Sequence, residues 1–174
     1  GSDQVWNLKL TDADYNYMLK FVNDDNKKFS YASSFGHSEI PGEYKEKCKD
    51  LFERYSKITV REKRGKEIIE KLTNKKANVV LDPTLLLNKE QWESLEEKYK
   101  YNIPKKYILA YFVSPTKQNY EFVKRLSRKL NMKVVLINYG NKTKMAMKNI
   151  TKAGPEEFLW LIRNANYVVT NSFH

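Results

Sequence analysis

Short β-type runs alternate with amphipathic helical segments along most of this chain, and this alternation limits the fold more than any other feature. The clearest runs, Tyr107 to Val113 and Lys133 to Asn138, are almost continuously apolar, as strands buried on both faces are. Between them, the apolar residues of Gln118 to Leu130 recur at three- and four-residue spacing, which is typical of a helix packed on a sheet. Because parallel strands need a crossover connection, usually a helix, the pattern predicts an α/β fold with parallel sheets.

The same order occurs in both halves of the chain. The first half is predicted to form strands at 28–35, at 57–62 and from residue 77, and helices at 41–55 and 65–72. The second half is predicted to add helices at 89–99 and 155–165 and a closing strand at 166–170. Pro83 to Asn88 is the predicted midpoint, so we expect two partial Rossmann-like halves, residues 1–88 and 89–174.

Composition favours a folded protein, because 41% of the 174 residues are hydrophobic and 13% are aromatic. The single cysteine, Cys48, cannot form an internal disulfide, and we interpret it as an inert thiol in a reducing compartment. No signal peptide is visible at the opening GSDQVWN, and no apolar run approaches the roughly 18 residues of a spanning helix. These features predict a cytoplasmic protein.

The net charge of +11, from 32 Lys and Arg against 21 Asp and Glu, suits an anionic partner. Nucleic acid, an acidic membrane surface and phosphorylated small molecules all have that property. A solvated lysine-rich surface is the simpler explanation, so charge alone does not choose a function.

Polar residues follow most of the predicted strands. Because parallel sheets bind ligands at the carboxyl ends of their strands, the residues of interest are Ser33, Ser34, Gly36, Arg61, Asp82, Thr84, Ser114, Asn138, Asn171, Ser172 and His174. Within this set we predict that Ser34, Asn171 and Ser172 bind substrate.

Arg61 and His174 have the strongest chemistry of this set. A guanidinium at a strand end can hold a phosphate or carboxylate in a bidentate fork, although a surface ion pair explains Arg61 equally well. A histidine suits general acid or base catalysis near neutral pH, although many histidines at strand ends are structural. His37, in a predicted loop, is a weaker candidate.

The familiar signatures of nucleotide, metal and nucleophile sites are missing from the sequence. It contains no GxxxxGK[ST], GxGxxG, HExxH, GxSxG or paired CxxC. We therefore predict neither a metal site nor a serine nucleophile. The opening GSDQVW is either a turn that approaches a ligand or a disordered chain end.

Five motifs in a fixed order indicate a family. They are GSDQVWN, SYASSFG, ITVREKRG, VLDPTLLL and AGPEEFLWLIRNANYVVTNSFH. Together they resemble the polysaccharide pyruvyl transferase family, from residue 1 to residue 174. The first and last motifs are specific, whereas DPTLLL alone is weak.

The resemblance implies a GT-B-like enzyme with two Rossmann-like halves facing across a cleft. It implies transfer of a pyruvyl group from phosphoenolpyruvate, without a cofactor, to sugar hydroxyls of a cell-surface polysaccharide or its lipid-linked precursor. The product is a cyclic ketal. By the same resemblance, Arg61 clamps the anionic donor and His174 is the proton donor or the base. Ser2, Asp3 and Gln4 would line the cleft.

Members of this family are expected to have further elements before GSDQVWN and after NSFH. We therefore expect a chain truncated at both ends, with low activity or none by itself. We also expect peripheral association with the inner face of the membrane and no nucleic acid partner.

Two other hypotheses stay open. A GT-B glycosyltransferase with a nucleotide-sugar donor would also use a helix–strand unit such as GPEEFLWLIRNANYVV. A non-catalytic basic module that binds an anionic polymer would explain the charge, with KYKYNIPKKY as its best site.

Overall fold

A computed structural model describes residues 3–97, 100, 102–138 and 148–172. The chain divides into two compact units, Gly1–Leu86 and Leu87–His174, called here the first and the second unit. That these units are the two partial halves of a GT-B-like enzyme, with the boundary at 88/89, stays a prediction.

The first unit combines short regular elements with long irregular segments. Its helices and strands are α1 (Lys45–Glu53), β1 (Ile58–Val60), α2 (Lys63–Leu72) and β2 (Ala77–Val79). Single 3-10 turns occupy Tyr15–Met18, Asp25–Lys27, Gly42–Tyr44 and Pro83–Leu85. β1 and β2 pair in parallel, as the alternating pattern predicts.

The strand predicted at 28–35 forms only in part. The segment runs parallel to β1 and joins it through two isolated bridges, Phe29 to Lys57 and Ser33 to Val60. A positive φ of 52° at Ala32 interrupts the extended backbone. The side chains of Ser30 and Thr59 replace part of the ladder, since each hydroxyl donates to the other residue's carbonyl oxygen, at 3.0 and 2.7 Å.

An aromatic cluster forms the core of the first unit. Trp6 packs against Phe35, Phe52 and Tyr55 with ring centroids 4.8–6.1 Å apart, and all four side chains are buried. Tilted and edge-to-face arrangements of this kind stabilise beyond the area they bury. Three of the rings, those of Trp6, Phe35 and Tyr55, lie outside regular elements, so the N-terminal segment that carries Trp6 belongs to the core.

The second unit is built on a four-stranded parallel sheet with the order β5-β4-β3-β6. Its elements are α3 (Lys89–Ser94), β3 (Tyr107–Tyr111), α4 (Lys117–Leu130), β4 (Lys133–Ile137), β5 (Lys148–Ile150), α5 (Pro155–Arg163) and β6 (Tyr167–Thr170). This confirms the predicted α/β class with parallel sheets. The sequence pattern did not predict β5, and α3 ends at Ser94, before the predicted residue 99.

Helices cover both faces of this sheet. On one face Ala110, Val134 and Leu136 pack against Val123 of α4. On the other face Tyr107, Leu109, Val135, Ile137 and Ile150 pack against Leu161 of α5. Alternate residues of one strand point to opposite faces, which explains why β3 and β4 are apolar throughout.

Within the described residues, no helix has both the length and the apolar character needed to cross a bilayer.

Candidate functional site

Arg61 lies at the carboxyl end of β1, where it contacts three carboxylates. Its Nη2 donates to Asp3 Oδ1 at 2.7 Å, its Nη1 to Asp82 Oδ2 at 3.1 Å and its Nε to Glu62 Oε2 at 3.3 Å. The Arg61 side chain is only 11% exposed. We call these four residues the Arg61 cluster. It fixes the guanidinium in one orientation at the edge where parallel sheets bind ligands.

The carboxylates of the Arg61 cluster come from three parts of the first unit. Asp82 follows β2 and also accepts from the backbone N–H and the hydroxyl of Thr84, at 3.0 and 2.9 Å. Glu62 Oε1 accepts from the Phe35 N–H at 3.3 Å. Asp3 belongs to the N-terminal segment. The cluster therefore joins the ends of β1 and β2 to two irregular segments.

The Arg61 cluster is electrostatically unusual because one cation faces three anions. Burial lowers the pKa of Arg61, but its hydrogen bonds to Asp3 and Asp82 outweigh burial and raise the pKa above its ordinary value. The guanidinium therefore stays charged at any working pH. Of the three carboxylates, Asp3 is the most exposed, at 51% against 34% for Glu62 and 10% for Asp82, so it is the one that an anionic ligand could displace most easily.

Gln4, next to Asp3 in the chain, is held by contacts within the first unit. Its backbone has a positive φ of 48°, and its side-chain Oε1 accepts from Asn7 Nδ2 at 2.8 Å. A Cβ added at Gly36, where φ is 66°, would collide with the Gln4 side chain, so this position requires glycine. Gln4, predicted to bind substrate, thus contacts other parts of the first unit.

Ser33 and Ser34 lie near the end of the segment 28–35, which runs beside β1. Both are buried, and Ser34 Oγ accepts from the Gly36 N–H at 3.2 Å while its carbonyl accepts from the Trp6 N–H at 3.1 Å. These bonds shape the turn that precedes Gly36. The role of Ser34 in substrate binding stays a prediction.

Asn171 and Ser172 lie in the second unit, after β6. The Asn171 side chain connects the ends of two strands, since Oδ1 accepts from the Val113 N–H at 3.0 Å and Nδ2 donates to the Ser114 carbonyl at 3.2 Å. The Ser172 N–H donates to Thr170 Oγ1 at 2.9 Å. Asn171 therefore holds the loop after β3, and substrate binding by either residue stays a prediction.

Two of the predicted site residues, Ser2 and His174, lie outside the described residues. The other histidine, His37, packs near Phe35, with ring centroids 6.1 Å apart. Its Nδ1 is buried and has no hydrogen-bond partner within the described part of the chain. Burial lowers the pKa of His37.

An open cleft of about 550 Å³ lies in the first unit. Trp6, Tyr17, Phe21, Phe29 and Tyr31 supply aromatic rings to its wall, and Asn16, Ser30 and Ser33 supply polar groups. Ser33, which bridges to Val60, and Pro83, which directly follows Asp82, also line it. A second cavity, of about 200 Å³, lies between residues 38–45 and α2, and its lining does not include the Arg61 cluster.

Within the described part of the chain, no group of three or more His, Cys, Asp or Glu residues could hold a metal ion. Cys48 is buried, and burial raises its pKa to about 11. The thiolate is therefore scarce near neutral pH, which makes Cys48 a poor nucleophile.

Sequence reasoning named Asp3 and Asp82 as candidate site residues but did not predict that they pair with Arg61. The strand-end rule identifies Asp82, but no pattern indicates that it pairs with a residue 21 positions away. Glu62 directly follows Arg61, which is the one local signal for an ion pair.

The family model described as polysaccharide pyruvyl transferase matches residues 1–174. Neither a curated protein nor a solved structure matches the chain.

Proposed function

The chain belongs to the polysaccharide pyruvyl transferase family, and from that premise we propose that it transfers a pyruvyl group from phosphoenolpyruvate to a saccharide. The acceptor is a cell-surface polysaccharide or its lipid-linked precursor. The observation that carries the proposal is the guanidinium of Arg61, fixed at the carboxyl end of β1 in a family of transferases.

The reaction joins one donor to two hydroxyl groups of one sugar. A proton adds to the methylene carbon of phosphoenolpyruvate, which makes the neighbouring carbon electrophilic. One sugar hydroxyl adds there and loses its proton. The bond to phosphate then breaks, phosphate leaves with the bonding electrons, and the second hydroxyl closes the ketal and loses its proton. Overall, donor and diol give ketal and inorganic phosphate.

Arg61 binds the anionic donor in this proposal. Phosphoenolpyruvate carries a phosphate and a carboxylate, and either group fits a guanidinium fork. Because Nη2 already contacts the exposed Asp3, the donor takes the place of Asp3 at that nitrogen. Asp82 and Glu62 stay bound and keep the guanidinium plane fixed. Binding of the donor therefore costs little further rotational freedom of the Arg61 side chain.

The acceptor binds in the aromatic cleft of the first unit. Sugar rings have apolar faces that pack on exposed aromatic side chains, and Tyr17, Phe21 and Phe29 are all more than half exposed. Ser33 and the amide of Asn16 also line the cleft and provide polar partners. Such a mixture of aromatic surface and a few polar groups is typical of small-ligand sites.

His174 supplies the proton or accepts it. A histidine near its ordinary pKa of about 6.5 can do either at neutral pH. Replacement of His174 by Ala is expected to lower turnover by about 10²–10⁴-fold without unfolding the protein. Activity close to wild type would remove His174 from the mechanism.

The test is an assay of phosphate release by the natural polypeptide that contains these residues, with phosphoenolpyruvate and a sugar-lipid acceptor. Acceptor-dependent release of phosphate supports the proposal. No turnover with phosphoenolpyruvate, together with turnover of a nucleotide sugar, would replace pyruvyl transfer by glycosyl transfer.

The proposed place of action is the cytoplasm, at the inner face of the membrane. A lipid-linked acceptor is held in the bilayer, so an enzyme that modifies it gains from peripheral association with the lipid surface.

A further inference from the structure

The two units differ sharply in charge. Residues 87–174 contain 16 Lys and Arg against 7 Asp and Glu, whereas residues 1–86 contain 16 against 14. Nine of the eleven net positive charges therefore belong to the second unit. A surface that attracts anions is accordingly expected there.

Among the residues that the structure describes, α4 carries a group of four exposed cations. Lys124, Arg125, Arg128 and Lys129 are all exposed, and none of them has an acidic partner among the residues that the structure describes. The one acid of the helix, Glu121, lies 3.8 Å from the remaining cation, Lys117. Cations that are not neutralised within the protein are available to an external anion.

The outward side of α4 also carries an aromatic residue. Phe122 is 48% exposed, and it shares the helix surface with Arg125 and Lys129 at three- and seven-residue spacing. The opposite side of the helix is already used, since Val123 is buried against the sheet. We call Phe122, Lys124, Arg125, Arg128 and Lys129 the α4 face.

We propose that the α4 face docks on an anionic lipid surface. Four adjacent cations with an exposed aromatic residue match the basic helical segments that associate with acidic headgroups. The cations attract the headgroups, and the Phe122 ring inserts at the interface.

Shape favours a bilayer over nucleic acid. Single-stranded nucleic acids bind in basic grooves in which several aromatic rings stack on successive bases. The α4 face is the convex outer side of one helix and carries a single aromatic ring. A flat lipid surface can contact such a ridge along its whole length.

The inference deepens the proposed membrane association and rests on it for its biological meaning. Its test contains neither phosphoenolpyruvate nor a sugar, so docking and pyruvyl transfer can fail separately. If the chain binds lipid but has no transferase activity, the docking proposal stands and the proposed transfer fails. If it transfers pyruvyl groups but does not bind lipid, the proposed transfer stands and the docking proposal fails.

The experiment measures co-sedimentation of the 174-residue chain with vesicles of phosphatidylcholine, with or without about one third phosphatidylserine. Wild type is expected to bind the anionic vesicles and to dissociate at high salt. Replacement of the four α4-face cations by Gln is expected to weaken binding on the order of a thousandfold. Phe122→Ser is expected to weaken it several-fold, and a double variant, Lys124→Gln with Arg125→Gln, about thirtyfold.

A matched control removes the same charge from the first unit. Lys20, Lys47, Lys49 and Lys76 are exposed, and their replacement by Gln is expected to change binding by less than about fivefold. Circular dichroism checks that all variants are folded, and the double variant serves if the fourfold one is not. Equal losses in the α4 variant and the control, no binding of wild type to anionic vesicles, or α4-dependent binding to random oligonucleotides in place of vesicles would each overturn the proposal.

Discussion

The two units use their charged residues in opposite ways. In the first unit, cations and anions are nearly balanced, and Arg61 is surrounded by carboxylates of the same unit. In the second unit, cations are in excess, and those of the α4 face point to solvent. The net charge of a unit therefore does not indicate where its binding site lies. The candidate donor site lies in the nearly neutral unit, and the free charge lies on the outside of the basic one.

The hydrophobic cores of the two units also differ. The first unit packs aromatic rings from an N-terminal segment, a turn and a helix around Trp6. The second unit packs mostly aliphatic buried side chains, with Tyr107, on both faces of a regular parallel sheet. The first core depends on a few large side chains, so it is expected to be more sensitive to the loss of one of them.

The largest expected effect tests that difference in cores. Trp6→Ala removes a buried ring that touches three other rings, and the expected loss in unfolding free energy is about 3–5 kcal/mol. Trp160, only partly buried in α5, provides the matched control, for which we expect a clearly smaller loss. Urea denaturation measures the free energies.

Hydrogen exchange followed by mass spectrometry locates the damage. Trp6→Ala is expected to remove protection from residues 3–86 and to leave β3 and β4 protected. A uniform loss of protection over both units would mean that the two units unfold together. That result would contradict two cores of separate stability.

A second large effect is expected at Arg61. Arg61→Met leaves the Asp82 carboxylate, which is 10% exposed, without its cation, and the expected cost is about 3 kcal/mol of unfolding free energy. Arg61→Lys keeps the charge but loses the planar fork, so it is expected to retain more stability while losing donor binding. Thermal unfolding and the Michaelis constant for phosphoenolpyruvate separate the two roles.

The exposed Arg64 of α2 provides the control for Arg61. It donates to Glu67 at 2.6 Å, and both side chains are more than half exposed, so its removal is expected to change stability little. If Arg61→Met were as mild as Arg64→Met, the Arg61 cluster would be an ordinary surface ion pair.

A smaller effect is expected when one carboxylate of the Arg61 cluster is neutralised. Asp3→Asn removes the exposed carboxylate from Arg61 Nη2, so the donor no longer competes for that nitrogen. The Michaelis constant for phosphoenolpyruvate is expected to fall by up to about fivefold, the equivalent of an exposed pair worth about 1 kcal/mol. A rise in this constant would show instead that Asp3 helps to bind the substrate.

The smallest effect concerns pH. Burial lowers the pKa of His37 in the folded state, so the unfolded chain binds its proton more readily. The unfolding free energy is therefore expected to fall as pH drops below about 6.5, the ordinary pKa, until the folded pKa is passed. His37→Gln is expected to flatten this part of the profile. If His37→Gln leaves the pH dependence of the unfolding free energy unchanged, that dependence arises from other groups, such as the carboxylates that titrate at lower pH.

Regular elements could be predicted from sequence because their apolar periodicity is local. β3, α4 and β4 lie almost where the pattern predicts them, since each is apolar on the surface it buries. β5 could not be predicted, because an edge strand reading Lys-Asn-Ile has no apolar run. The interrupted strand at 28–35 depends on the Ser30 and Thr59 side chains, 29 residues apart.

The position of the candidate site could be predicted from the sequence, but the pairing of its residues could not. Strand-end residues such as Arg61 and Asp82 follow from topology, since carboxyl ends of parallel strands meet at one edge. The pairing of Arg61 with Asp3, 58 positions away, depends on how the N-terminal segment folds back, and no local pattern encodes it.

The most direct test of the proposed chemistry follows the transferred carbon itself. Phosphoenolpyruvate labelled with carbon-13 at the phosphate-bearing carbon is incubated with the natural polypeptide and a sugar-lipid acceptor, and the acceptor is analysed by NMR. We predict a labelled ketal carbon bonded to two sugar oxygens, formed together with one phosphate per transfer. Label that remains in phosphoenolpyruvate or free pyruvate, while the acceptor gains a sugar from a nucleotide donor, would contradict pyruvyl transfer.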